Sequence, residues 1–249
     1  MSKHFELLQQ MEKEQPFGYE TRTTTTVFPA PIISRGDSDL TQRASEEALR
    51  LVQQIFLVQS KEPPHVVVFA GIDHGNGCSH VSASVAELLA KNARRPVCLV
   101  EGNFRSPALP AYFGTENHHG LTEALLQDGP ISSFTKPVLQ DNLWLLSSGT
   151  LASDSANLLA SEQLRERVAE LRSEFDFVII DAPPLTRYAD AVVLSQHADG
   201  LVLILEAEAT RREAASAVVA NLRSSKIPIL AAVLNKRTFP IPEKIYNRL

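Results

Sequence analysis

The residues best suited to chemistry gather in Gly71-Ile72-Asp73-His74-Gly75-Asn76-Gly77-Cys78-Ser79-His80. The apolar run Val66 to Ala70 precedes this turn, and Val81, Val85, Leu88 and Leu89 follow it at the spacing of one helix face. The pattern predicts strand, glycine loop, helix. Gly75 and Gly77 let the loop backbone, from Asn76 through Cys78, Ser79 and His80, approach an anion closely, and the helix points its positive end at the same place. A phosphate loop of the form G-x-x-x-x-G-K-[ST] adds a lysine that reaches the outer phosphates and a hydroxyl for magnesium. Here Ser79 keeps the hydroxyl, but Cys78 stands in the lysine's place.

Two carboxylates complete the candidate set. Phe177-Val178-Ile179-Ile180-Asp181-Ala182-Pro183-Pro184 is an apolar strand ending on Asp181, the form of a Walker B element, so Ser79 and Asp181 form the expected magnesium pair if nucleotide binds. The plainer reading of Asp181 is a strand-end carboxylate that caps a turn. Pro96 to Glu101 reads as a second buried strand, and Gly102 to Pro107 as the loop at its carboxyl end. That places Glu101 and Arg105 on the edge where doubly wound sheets bind ligands. Glu101 is long enough to position a water on magnesium, whereas Asn103 cannot act as a base. Arg187, Tyr188 and Asp190 either line the same cleft or begin a surface helix.

The loop supports other chemistry too. His74, Cys78 and His80 are transition-metal ligand types, although their spacing lacks the paired pattern of a zinc site and a solvated loop explains it as well. Cys78 at a helix N-terminus is either a thiol of lowered pKa or a small residue filling the lysine's space.

The surrounding elements follow from pattern. Residues 1–40 hold the Thr23 to Thr26 run, Pro29, Pro31 and Gly36, which is linker chemistry, so a flexible arm is expected before a single domain at 41–249. Ser45 as N-cap, Glu46 and Glu47 in the first turn, and Leu49, Val52, Ile55 and Phe56 predict a helix over 45–59. A short helix follows at Leu121 to Leu126, a strand at Asn142 to Leu146, and a helix behind Ser161 carrying Leu164, Val168, Leu171 and Phe175. Gly200 to Leu205 is a strand, Thr210 with Glu213 predicts a capping box, and Ile229 to Leu234 is the last strand. The alternation predicts an α/β fold, a mostly parallel doubly wound sheet with helices on both faces.

A net charge of −5 argues against a nucleic-acid binder, which carries a basic face. Two cysteines give no disulfide framework and fit a reducing compartment. No apolar run approaches the roughly 18 residues of a membrane span, and the N-terminus lacks a signal-peptide core. A cytoplasmic protein without direct membrane insertion is expected.

From about Ser45 onward the chain resembles the bacterial tyrosine kinases of capsule and exopolysaccharide synthesis, the CpsD/CapB type, within the deviant P-loop ATPases related to Min and Par proteins. The likeness rests on the phosphate-loop position, on Leu99 to Pro107 as a second Walker-type motif, on Phe175 to Pro184 as Walker B, and on Thr210-Arg211-Arg212-Glu213 followed by Val233-Leu234-Asn235. The departures are specific. The family's P-G-E-G-K-S-T is His74-Gly75-Asn76-Gly77-Cys78-Ser79-His80 here, and both aspartates of its L-I-D-x-D-x-R-x-P are replaced, by Glu101 and Asn103.

The resemblance implies ATP or ADP with Mg2+ as a weakly held ligand, and Asn235 where the family's asparagine reads adenine. It implies homo-oligomer contacts through Glu47 and Arg50 of an E-x-x-R-x-x-R helix, with Gln53 in the last arginine's place, and Tyr246 as the remnant of a C-terminal phosphoacceptor cluster. Tyr246 alternatively packs through Ile245 and Leu249. The implied partner is a membrane polysaccharide chain-length or export protein that holds the chain at the inner face of the cell membrane. Because phosphoryl transfer depends on positioning and charge neutralisation, the missing lysine favours a catalytically impaired regulator or scaffold. An active autokinase or ATPase is the alternative, with compensation from Arg105, Lys236, Arg237 or a neighbouring subunit's arginine. A metal- or redox-sensing module built on His74, Cys78 and His80 is the third reading.

Overall fold

The computed structural model describes residues 24–29, 38–57, 63–139, 142–150 and 155–237. Its strands are β1 (Thr24–Pro29), β2 (Val66–Gly71), β3 (Val97–Glu101), β4 (Lys136–Leu139), β5 (Leu143–Leu146), β6 (Phe177–Ala182), β7 (Gly200–Glu206) and β8 (Ile229–Arg237). The helices are α1 (Ser38–Val52, continued by a π-helical turn Gln53–Leu57), α2 (Cys78–Ala93), α3 (Leu109–Tyr112), α4 (Leu121–Leu126), α5 (Ser155–Leu159), α6 (Glu162–Glu174), α7 (Asp190–Ser195) and α8 (Arg212–Ser224).

The strands form one sheet in the order β1-β8-β7-β2-β6-β3-β5-β4. Every pairing is parallel except β4 with β5. The expected doubly wound α/β architecture is therefore present. β2 lies at its centre with β6 on one side and β7 on the other, which puts the loop after β2 where chain direction across the sheet reverses.

Alternation along the strands divides the core in two. Val66, Val68 and Ala70 of β2 pack on one face with Leu121 and Leu125 of α4, Leu164 and Leu171 of α6, and Leu222 of α8. Val67 and Phe69 pack on the other with Leu51 of α1 and Val85 and Leu89 of α2. Burial on both faces is why the central strands are nearly unbroken apolar runs. The same period of two puts Glu101 and Asp181 on the α2 face, with Leu99 of β3 and Ile179 of β6. Asp199 ties the start of β2 in place: it accepts from the N–H groups of His65 (2.7 Å) and Val66 (2.9 Å) and pairs with both terminal nitrogens of Arg172 at 2.9 Å.

Several local expectations change. The first 40 residues are not all arm, because Thr24–Pro29 forms an edge strand parallel to β8; its run of β-branched residues suits extended backbone. α1 begins at Ser38 rather than at Ser45 and ends as the π turn at Leu57. β4 was not anticipated. The capping box fails because the Thr210 hydroxyl turns back to accept from the Glu206 N–H (2.8 Å), leaving Arg211 to head α8 without a side-chain cap. Ser161 heads α6 without capping it, and its hydroxyl donates to the Leu158 carbonyl (2.7 Å). Tyr246 lies outside the described residues. Among the described residues no helix is long and apolar enough to cross a membrane.

Replacing Asp199 by alanine strips two backbone donors and Arg172 of their acceptor, so urea unfolding of Asp199→Ala is expected to show a loss of about 1–3 kcal/mol.

Candidate phosphate-binding site

The loop between β2 and α2 keeps the backbone of a phosphate loop. Gly75 and Gly77 are left-handed, with φ of 85° and 81°. At Gly77 the lack of a side chain is required twice over, since a Cβ there would also run into the Asn235 amide. Among the described residues no group accepts from the N–H groups of Gly77, Cys78 or Ser79.

Its own side chains hold the loop in shape. Asn76 is buried, and its Oδ1 accepts from the Asp73 N–H (2.6 Å) while its Nδ2 donates to Glu206 (3.3 Å). The hydroxyl of Thr186, after β6, lies 2.7 Å from Asp73 Oδ1 and 2.8 Å from the Ile72 carbonyl, with one proton shared between the two acceptors. From β8, Asn235 donates to the Asn76 carbonyl (2.8 Å) and the Lys236 ammonium to the Gly75 carbonyl (2.6 Å). The bracing roles of Thr186 and Glu206 were missed from sequence, although Glu206 carried one signal, a carboxylate at the end of an apolar strand.

Beneath the loop lie two buried acids. Glu101 and Asp181 sit opposite each other in the β3–β6 register, both with no exposed surface. Glu101 accepts from the N–H groups of Ala108 (2.7 Å), Leu109 (2.8 Å) and Asn103 (3.3 Å), and so heads α3. Neither oxygen of Asp181 has a hydrogen-bond partner among the described residues. Burial raises the pKa of both above the carboxylate range, and for Glu101 the charge of Asp181 adds to the shift. Ser79, Cys78 and Ser82 surround Asp181 and pull its pKa the other way, though none of them reaches hydrogen-bond geometry to it.

Cys78 does not replace the lysine's chemistry. Burial, then the charge of Asp181, raises its thiol pKa well above normal, which corrects the lowered-pKa reading: the helix terminus loses to desolvation, with the two neighbouring acids adding to it. His74 is exposed, and His80 packs edge-on against Tyr112 at 5.8 Å between ring centres. Among the described residues no three His, Cys, Asp or Glu side chains are placed to hold a metal, so His74, Cys78 and His80 are not brought together as ligands.

The remaining candidates fall in distinct places. Arg105 reaches Asp190 (3.3 Å) and lies over the Tyr188 ring at 4.2 Å, so these three side chains meet. Asn235 is buried with its amide committed to the loop. Glu47 and Arg50 pair with each other at 3.0 Å on the outer side of α1.

The loop donors suit a phosphate, and the unpartnered Asp181 beside Ser79 suits a divalent cation that would offset both acids. The residues thus fit Mg2+ with a nucleotide phosphate: Ser79 and Asp181 would hold the metal, and Gly75 to His80 would surround the phosphate. What is missing is the charge at position 78.

Because the folded state holds on to protons at Glu101 and Asp181 that the unfolded chain releases, the contribution of this pair to stability is greatest on the acid side and falls as pH rises from the ordinary carboxylate range through the raised titration. Asp181→Asn removes the repulsion, so in thermal unfolding this variant is expected to gain on wild type by about 1–2 kcal/mol between pH 5 and pH 8.

No protein-family model matches the chain. The sequence is 32% identical over 161 residues to the tyrosine-protein kinase YwqD of Bacillus subtilis, covering 65% of this chain and 68% of that one. It is 27% identical to the putative tyrosine-protein kinase CapB of Staphylococcus aureus, over 65% of this chain and 70% of CapB. It matches the tyrosine-protein kinase Wzc of Salmonella typhimurium at 25% identity but spans 26% of that relative's length. Among solved structures, the kinase domain of the Escherichia coli tyrosine kinase ETK superposes with a TM-score of 0.72 at 20% identity, over 80% of this chain and 79% of that one. The septum site-determining protein MinD of Pyrococcus horikoshii, complexed with Mg-ADP, superposes at 0.58 and 20% identity, over 74% and 76% of the two chains. These structural likenesses are of fold. With the YwqD match covering more than two thirds of that relative, and with the phosphate loop, the Asp181 strand end and the sheet order all in place, the chain belongs to the bacterial tyrosine-protein kinase family.

Proposed function

We propose that the chain is a catalytically impaired, kinase-like regulator or scaffold of exopolysaccharide or capsule assembly, acting at the inner face of the cell membrane with a polysaccharide chain-length or export protein. One observation carries the impairment. The buried Asp181 faces a neutral thiol where a lysine would neutralise it, while Glu101 beside it spends its carboxylate on the backbone of α3. A site that stabilises charge in the transition state cannot spare that cation without a large loss of rate. The fold is kept, and Glu47 and Arg50 stand where the resemblance puts an oligomer contact, with Gln53 in place of its last arginine.

A second reading, an active ATP-dependent autokinase or ATPase with Tyr246 as phosphoacceptor, is favoured by the intact Ser79 and by the unpartnered state of Asp181. Replacing the chromosomal gene separates the two. On the scaffold reading, Asp181→Asn leaves polysaccharide output unchanged and the purified wild-type protein shows no ATP hydrolysis above the Asp181→Asn background, whereas Glu47→Lys with Arg50→Glu alters output. Loss of output in Asp181→Asn, with phosphate appearing on Tyr246 of wild type alone, overturns it. Cys78→Lys places a cation beside two buried acids and is expected to raise the unfolding temperature at pH 8, read by calorimetry.

A further inference from the structure

A loop that keeps its phosphate-binding backbone but not its lysine needs a cation from elsewhere if it is to hold a polyphosphate. We infer that Lys236, at the end of β8, is the phosphate-binding cation of this loop, and that its ligand is a nucleoside diphosphate or triphosphate carried with a divalent ion. The inference rests on the retained nucleotide site of the proposed function and not on the scaffold role.

Lys236 already touches the loop. Its ammonium lies 2.6 Å from the Gly75 carbonyl and 3.2 Å from Glu206 Oε2, and its side chain is one third exposed. It reaches there from a left-handed backbone, φ 57°, which a non-glycine residue adopts at a cost. The preceding Asn235 is bonded to the next carbonyl of the loop, so two successive residues of β8 are spent on Gly75 and Asn76. Among the described residues Lys236 is the cation hydrogen-bonded to the loop. Arg105 is committed to Asp190 and Tyr188 at the end of β3, beyond β6 and β2 from β8.

The chemistry of the contact is that of a cation in waiting. An ammonium has three donors on a flexible stem, so it can keep Glu206 and exchange the Gly75 carbonyl for a phosphate oxygen. A charge-assisted bond to phosphate is the stronger of the two. Glu206 also accepts from Asn76, and its negative charge at the loop opposes an incoming phosphate. It therefore sets the strength of the site: Lys236 must serve two anions at once.

The test is calorimetric titration of Mg-ADP and Mg-AMP into the full-length protein and its variants at physiological salt. Lys236→Met is expected to weaken ADP at least tenfold and to leave AMP, which lacks the outer phosphate, unchanged. Lys236→Arg retains most of the ADP affinity, and Glu206→Gln, which keeps the shape of its hydrogen bonds, tightens ADP several-fold. The opposite signs at positions 236 and 206 separate a phosphate contact from a brace. If both variants weaken ADP and AMP alike and lower the unfolding temperature of the free protein together, Lys236 only supports the loop. Wild-type affinity in Lys236→Met, or no binding of Mg-ADP to wild type up to millimolar concentration, also overturns the inference, and the latter leaves the scaffold reading standing.

Discussion

Two carboxylates at the same level of adjacent parallel strands set the terms for the whole site. Glu101 and Asp181 are aligned by the register of β3 with β6, and strand alternation turns both toward α2. Like charges this close in a dry interior cannot both ionise without an offsetting cation. Proteins that bind nucleotide on such a loop meet the requirement with a lysine and a metal ion. Here the side chain in the lysine's place is a thiol that burial, with the field of the acids added, holds protonated. Burial thus decides the state of Cys78, with the acids adding to it, and the site rests with less charge than its residue types imply.

The loop above survives this because packing fixes it independently of phosphate chemistry. It is held from the segment after β6 by Thr186, from β7 by Glu206, and from β8 by Asn235 and Lys236. Gly77 lets the Asn235 amide come closer than any side chain would permit. The loop is shaped by three neighbouring segments of the same sheet, so its phosphate-loop form does not depend on which residue stands at position 78.

Much of the fold was legible because central strands buried on both faces have to be apolar runs, and each of those runs became a strand. The failures came at the margins. Thr24–Pro29 read as linker because threonine and proline are turn chemistry in isolation, yet threonine is also β-branched and suits an edge. Lys136–Leu139 escaped notice because it is short and carries Pro137, which an edge strand tolerates. The site was legible wherever it is local: the glycines, Ser79, the absent lysine and Asp181 all follow from spacing. The partnerships that give those residues their state are not local. Glu206 meets Asn76 across 130 positions, and Lys236 meets Gly75 across 161, and no periodicity encodes such meetings. Glu101 could be placed on its strand end, but its engagement with α3 depends on how residues 102–109 turn back.

That engagement of Glu101 bears on how such a site could change over evolutionary time. The extra methylene that distinguishes glutamate from aspartate is what carries the carboxylate to the N–H groups of Ala108 and Leu109. Aspartate at position 101 would withdraw the anchor from the head of α3. The side chain has a structural occupation, and a site with aspartates on both strands would come with a less stable protein. A residue placed in this way is held by the fold whatever chemistry it takes part in, and the fold selects against its replacement.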